Sequence, residues 1–149
     1  MSLKERLNTD LRAAMRGRDD QRRDVLRLVL ASVHNAEIAA GKGLDDDGTL
    51  AVLAKEAKQR RESIEEFRKG NRPDLADKEE AELAVISAYL PQQATREEIL
   101  EAARRVVQET GASGPRDLGK VMPVLMQQFR GRAEGREISD VARELLAGS

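Results

Sequence analysis

The sequence predicts an all-α fold, with an N-terminal four-helix unit followed by a smaller three-helix unit. Three observations carry this. Aliphatic residues recur at three- and four-residue spacing along most of the chain, the period of a helix with one buried face. No segment alternates apolar and polar residues with the period of two that a half-buried strand requires. Aromatic residues are 2% of the 149 residues and charged residues 36%. Any core must therefore rest on Leu, Ile, Val, Met and Ala, which favours amphipathic helices over a β-sandwich.

The elements follow in order. Ser2 and Glu5 have capping-box spacing, and Leu3, Leu7, Leu11 and Met15 follow on one face. Gly17 and Asp19-Asp20 punctuate the chain before a second helix whose Val25, Leu26, Val29, Leu30 and Val33 face inward; Gly41 and Gly43 stop it. "LDDDG" leads into a third helix with Leu50, Leu53, Ala57, Ile64 and Phe67 as its stripe and Gly70 as its C-cap. Pro73 opens a fourth, through Leu75, Leu83, Ile86 and Leu90, and Leu90-Pro91 ends it.

Residues 1–91 form the first expected domain, 92–94 a short linker and 95–149 the second. Thr95 and Glu98 make another capping box, and Ile99, Ala103, Val106 and Val107 build a helix ending near Gly111. After the turn "SGPRD", Leu118, Val121, Met122, Leu125, Met126 and Phe129 give the cleanest helical stripe. Pro123 sits inside it, so either the helix kinks there or a new one starts. Beyond "RGRAEG", Ile138, Val141, Ala142, Leu145 and Leu146 form the last helix.

Formal net charge is −1, so nucleic-acid contact requires a local basic patch. The absence of cysteine removes disulfides, thiolate zinc sites and cysteine nucleophiles. The start of the chain is charged from Lys4 onward without an apolar signal core, and no apolar run approaches the roughly 20 residues of a membrane span. A cytoplasmic protein is the expectation, with neither a membrane nor DNA as partner.

"GPRDLGKV", residues 114–121, is one letter short of the phosphate-binding loop G-x-x-x-x-G-K-[ST]. Three features argue for a helix start instead. No strand precedes Gly114, Pro115 removes an N–H from the cradle, and Val121 belongs to the apolar stripe where a magnesium-binding hydroxyl should stand. Counting 100° per residue, Arg116, Lys120, Gln127 and Arg130 fall opposite the stripe. His34 and Glu37 lie three apart, but one histidine cannot complete a di-iron site, and a polar histidine on a helix shoulder is the simpler reading. No G-x-S-x-G exists. No catalytic residue, cofactor or metal is expected.

Basic clusters remain. "RGRDDQRRDVLR" gathers Arg16, Arg18, Arg22, Arg23 and Arg27 among three aspartates. A second set, Lys120, Arg130, Arg132 and Arg136, surrounds the glycine-flanked turn "RGRAEGR", where Gly131 and Gly135 would admit a phosphate backbone. These four are the candidate RNA-binding residues. Without an aromatic platform, a folded RNA bound by shape and phosphate is favoured over a single strand.

Several motifs in order resemble one family: "SLKERLNTDLRAAM", "KQRRESIEEFRKGNRPDL", "YLPQQ", "ETGASGPRDLGKVMPVLM" and "GRAEG". The chain is similar along nearly its whole length to the stand-alone YqeY proteins, small relatives of the C-terminal tail of GatB, a subunit of the glutamine-dependent aminoacyl-tRNA amidotransferase. The resemblance implies a helical bundle followed by a tail-like domain, and a class label of carbon–nitrogen ligase with glutamine as amide donor. In the amidotransferase the tail helps engage tRNA, while ATP-dependent activation and glutamine hydrolysis lie in parts this chain does not contain. Gly119, Lys120, Val121, Met122, Gly131 and Arg132 match the tail pattern. Pro123 stands where a glycine or small residue is common, and Glu134 where aspartate is frequent. The resemblance thus implies a tRNA-associated accessory protein, not catalytic alone, with tRNA and an amidotransferase or aminoacyl-tRNA synthetase as partners. The alternative is a protein-interaction module docking to such an enzyme without touching RNA.

Overall fold

Side-chain caps set most helix starts in the computed structural model, which describes residues 1–148. Ser2 Oγ accepts the Glu5 N–H at 3.1 Å to open α1 (Leu3–Arg16), and Asp19 accepts that of Arg22 at 3.2 Å to open α2 (Asp20–Ala40). Asp45 does the same for Gly48 at 2.8 Å before α3 (Asp46–Lys69). Pro73 occupies the first turn of α4 (Pro73–Ser87), where its missing N–H is not needed. Thr95 caps α5 (Arg96–Thr110) through the Glu98 N–H at 3.1 Å. A 3₁₀ turn, Pro115–Asp117, leads into α6 (Leu118–Gln128), and α7 spans Gly135–Ala147. Gly41 and Gly111 end α2 and α5 in the left-handed region, at φ +69° and +70°. Among the described residues the fold is all-helical, with seven α-helices and no strand, and no helix is long and apolar enough to cross a membrane.

Contacts divide the chain into two compact units, Met1–Pro91 and Gln92–Ser149. In the first, α3 packs along α4 and α1 along α2, and Leu7, Val25, Leu26, Val29, Leu53, Ala57, Ile86 and Tyr89 form one buried cluster. The single tyrosine, two residues past α4, ties α1 to α2. Its hydroxyl donates to Asp10 at 2.5 Å and accepts from Arg22 at 3.4 Å, while Arg6 lies over the ring, 4.7 Å from its centre. Burial, followed by the Asp10 hydrogen bond, pushes the phenol up to about 12.

A second polar link crosses α2, α3 and α4. Arg60, 9% exposed, donates to Glu56 at 2.6 Å and lies 3.9 Å from Glu82, and Glu56 also accepts from Ser32 at 2.6 Å. Arg60 Nε has no partner.

The second unit buries Ile99, Ala103 and Val106 of α5 against Val121, Leu125 and Phe129 and against Ile138, Val141, Ala142 and Leu146 of α7. Two methionines depart from the expected stripes. Met15 is 48% exposed, and Ala14 takes the buried place on α1. Met126 is 44% exposed, with its side chain lying over Gly135. Pro123 interrupts no element: α6 runs through it, and the Gly119 carbonyl goes without an i+4 partner.

Removing the Arg60 guanidinium leaves Glu56 and Glu82 facing each other across a nearly dry space. Arg60→Ala is expected to cost about 3–5 kcal/mol, measured by urea unfolding. Glu56→Gln with Glu82→Gln in the same background should recover much of the loss, because the like charges are then gone.

Candidate nucleic-acid interface

The turn "SGPRDLGK" is built around one carboxylate. Gly114 adopts φ +80°, ψ 169°, a conformation open to glycine, and swings Pro115 into the 3₁₀ turn. This brings Asp117 back to accept the Ser113 N–H at 2.8 Å, while Lys120 approaches the same carboxylate at 3.4 Å. The Ser113 N–H is the main cause holding Asp117 below the usual carboxylate range, and the Lys120 charge adds to it. A phosphate loop aims its N–H groups and its lysine at a bound anion. Here the chain's own Asp117 takes up an N–H and the lysine, the preceding element is a helix, and Val121 is fully buried.

Burial of Val121, Leu125 and Phe129 also fixes where the four candidate cations point. Lys120 is exposed on the outer face of α6. Ten residues on, about 15 Å along the helix axis, Arg130 stands exposed just past the helix end. Gly131, at φ +76°, turns the chain, and Arg136 emerges exposed in the first turn of α7. Neither Arg130 nor Arg136 has an ion pair or hydrogen bond among the described residues.

Arg132 is placed differently. Its Nη2 donates to Glu98 at 2.6 Å, its Nε donates to the Gln92 carbonyl at 3.0 Å, and its guanidinium lies 5.8 Å from the Phe129 ring centre. Its own carbonyl accepts the Ala94 N–H at 2.8 Å. Residues 92–94, the expected linker, are therefore stitched to the turn between α6 and α7. The structure thus places Arg130 and Arg136 at either end of that turn, leaves Lys120 at the far end of α6, and commits Arg132 to an internal clasp.

Sequence reasoning missed Arg105. It lines a shallow cavity of about 290 Å³ with Glu98, Glu101, Gln128 and Arg132, and it has no ion pair among the described residues. Only the facing helix reveals this, since Arg105 and Gln128 are far apart in sequence. Of the first basic cluster, Arg22 is drawn to Asp10 at 3.8 Å and Arg23 to Asp20 and Asp24, which leaves Arg16, Arg18 and Arg27 exposed without such partners. His34 is exposed, and Glu37 accepts from Lys4 at 2.6 Å and the Leu44 N–H at 2.8 Å. Those two bonds, Lys4 first, hold its carboxyl below the usual range. No group of three metal-ligating side chains occurs among the described residues.

Comparison with known proteins adds the following. A family model described as "Yqey-like protein" matches residues 4–146. A protein of Pyrenophora tritici-repentis named "Altered inheritance of mitochondria protein 41, mitochondrial" is 31% identical over 137 residues, covering 89% of this chain and 74% of that relative. Proteins of the same name from Lachancea thermotolerans and Vanderwaltozyma polyspora are 44% and 41% identical over 87 and 85 residues, in each case 46% of the relative. The chain thus spans about half the length of these two curated relatives. Their names correct the cytoplasmic expectation. That expectation tested for an apolar signal core and a membrane span, whereas mitochondrial transit segments are amphipathic and arginine-rich and contain neither.

The Arg132 clasp has a pH signature. Its hydrogen bond is the main cause holding Glu98 below the usual carboxylate range. Stability from such a group is present above the ordinary carboxylate pKa and is lost as pH falls through the depressed one. Arg132→Met should therefore weaken amide-exchange protection of α5 and α6 near neutrality, with the difference from the parent chain vanishing in strong acid. A difference that persists there would mean that packing, not the ion pair, is what Arg132 supplies.

Proposed function

The chain belongs to the Yqey-like family, and from that premise we propose that it is a tRNA-associated accessory protein whose tail-like unit, residues 95–149, rests on the phosphate backbone of a folded RNA. The observation that carries the reading is the pair Arg130 and Arg136. In a protein whose net charge is −1, these two exposed guanidinium groups flank the glycine turn without a carboxylate partner among the described residues. Free arginine forks suit phosphate oxygens, and Gly131, at φ +76°, turns the chain between them without a side chain of its own. Lys120, about 15 Å away along α6, extends the contact to a further phosphate, and its loose pairing with Asp117 is readily exchanged.

Folded RNA is favoured over a single strand because the stacking surfaces are withdrawn. Tyr89 and Phe129 are each 5% exposed and Phe67 is half-buried, so the three aromatic residues offer no open platform. Recognition by shape and phosphate remains. On this reading the amide-transfer chemistry attached to the family resemblance belongs to other domains or subunits, and the chain serves as an adaptor. Val124 and Met126, exposed on α6, favour a second reading in which a synthetase or amidotransferase docks there; such a partner would stay bound after nuclease treatment.

Binding of total tRNA across a salt series tests the proposal. Weak, salt-sensitive association is expected, and Arg130→Glu, Arg136→Glu and Lys120→Glu should each weaken it. Each lost phosphate contact should lower the slope of log affinity against log salt by roughly one unit. Affinity and slope unchanged in the triple variant would sink the reading.

A further inference from the structure

Helix α2 carries a second face that its own unit leaves uncovered. Val25, Leu26, Val29 and Val33 are buried, but Leu28 is 53% exposed and Ile38 66%. Ala31 and Asn35, also exposed, lie between them. The spacing of 28, 31, 35 and 38 alternates three and four residues, as the a and d positions of a coiled-coil seam do. At 100° per residue the four fall within an arc of about 80°, so they form one narrow stripe. Asp24 continues it at the N-terminal end, and Lys42 stands just past the helix end, beyond the left-handed Gly41.

The stripe is complementary to itself when reversed. Leu28 and Ile38 lie five residues either side of position 33, Ala31 and Asn35 two, and Asp24 and Lys42 nine. Two copies of α2 laid antiparallel about that level set Leu28 against the partner's Ile38 and Ala31 against the partner's Asn35. They also set Asp24 beside the partner's Lys42. Alanine in the middle layers lets the backbones approach, and Asn35 penalises registers that would bury it against leucine. Charge decides direction. A parallel pair would oppose Asp24 to Asp24 and Lys42 to Lys42, whereas the antiparallel pair offers opposite charges at both ends. Lys42 is exposed without an ion pair among the described residues, and Asp24 is engaged only by its neighbour Arg23, at 2.9 Å. Beside the stripe, a cavity of about 310 Å³ between α2 and α3, lined by Asn35, Ala36, Val52 and Gln59, gives the partner's flanking side chains room to insert.

The geometry points to a homodimer in which α2 pairs antiparallel with α2 of a second copy. Its occupant is another copy of this chain, because the matching layers lie in one helix and the end charges on that helix and on the turn that closes it. The buried seam is short, so the dimer dissociates on dilution.

Sedimentation of the full chain over a wide concentration range tests this, with dimer expected at the upper end. Leu28→Glu and Ile38→Glu, both at exposed positions, should abolish it while leaving helix content, and the melting temperature of protein dilute enough to be monomeric, unchanged. Asp24→Lys and Lys42→Asp should each weaken association, and the double swap should restore it. Because the chain has no cysteine, orientation is directly readable. Under oxidation, Leu28→Cys protein mixed with Ile38→Cys protein should crosslink, and neither should crosslink alone. Like cysteines would lie about 15 Å apart, beyond the roughly 4.4–6.8 Å Cα separation of a disulfide. A monomer at every concentration, a dimer indifferent to Leu28→Glu, or crosslinking of Leu28→Cys protein by itself would each overturn the proposal.

Discussion

Burial of Val121, Leu125 and Phe129 against α5 and α7 is the constraint from which the rest of the second unit follows. With so few aromatic residues, Phe129 is the largest apolar side chain in that core, and a phenylalanine buried on this scale contributes about 1.5–3 kcal/mol relative to exposure. Seating it inward fixes the rotation of α6. Lys120, one residue before Val121, must then face water. The chain must also leave the helix at Phe129, whose carbonyl accepts the N–H groups of Arg132 and Ala133 at 2.8 and 3.1 Å. That tight exit throws Arg130 outward and folds Arg132 back over the ring. The exposed cations and the internal clasp are thus two results of one packing decision.

The same constraint explains a motif that fails as chemistry. A lysine after a glycine, six residues beyond a glycine-led turn, resembles a nucleotide site only in letters. Val121 is needed for the core, so no hydroxyl can stand there. Asp117 then fills the place of the anion, taking the Ser113 N–H and the Lys120 charge. An internal carboxylate costs nothing to recruit, whereas a bound phosphate would have to displace it. Local electrostatics therefore close the turn on itself and leave Lys120 loosely held, with 59% of its side chain exposed.

Much of the fold was legible because its signals are local. Ser2, Thr95, Pro73, Gly41 and Gly111 act on backbone groups within a few residues, and each occupies the cap its position in the sequence announces. The seven stripes were readable for the same reason, except at their edges: Met15 and Met126 fall one residue outside the buried sector, and only the facing helix determines that. What sequence could not supply were pairings across helices. Arg60 looks like part of a charged surface run until Glu56 and Glu82 close over it. Arg132 reads as a free cation of a glycine turn until Glu98, 34 residues earlier, is seen beside it. Charge type is visible in one dimension, whereas charge partnership is a property of three.

This distinction bears on how a nearly neutral protein would hold RNA in the proposed role. Once internal pairs are set aside, the tail-like unit keeps Arg104, Arg105, Arg116, Arg130, Arg136 and Arg143 without an ion pair among the described residues, and a handful of phosphate contacts would give weak association at physiological salt. Such a site gains less from a stronger single contact than from repetition. Joining two weak sites on one particle makes the second binding event intramolecular and raises the overall affinity without any new contact, provided both can engage the same ligand. The proposed α2 seam would supply that repetition from the first unit. Under the two proposals together, helix faces with no core to cover and arginines with no carboxylate to meet would be parts of one arrangement, in which the bundle sets the number of copies and the tail sets what each copy touches.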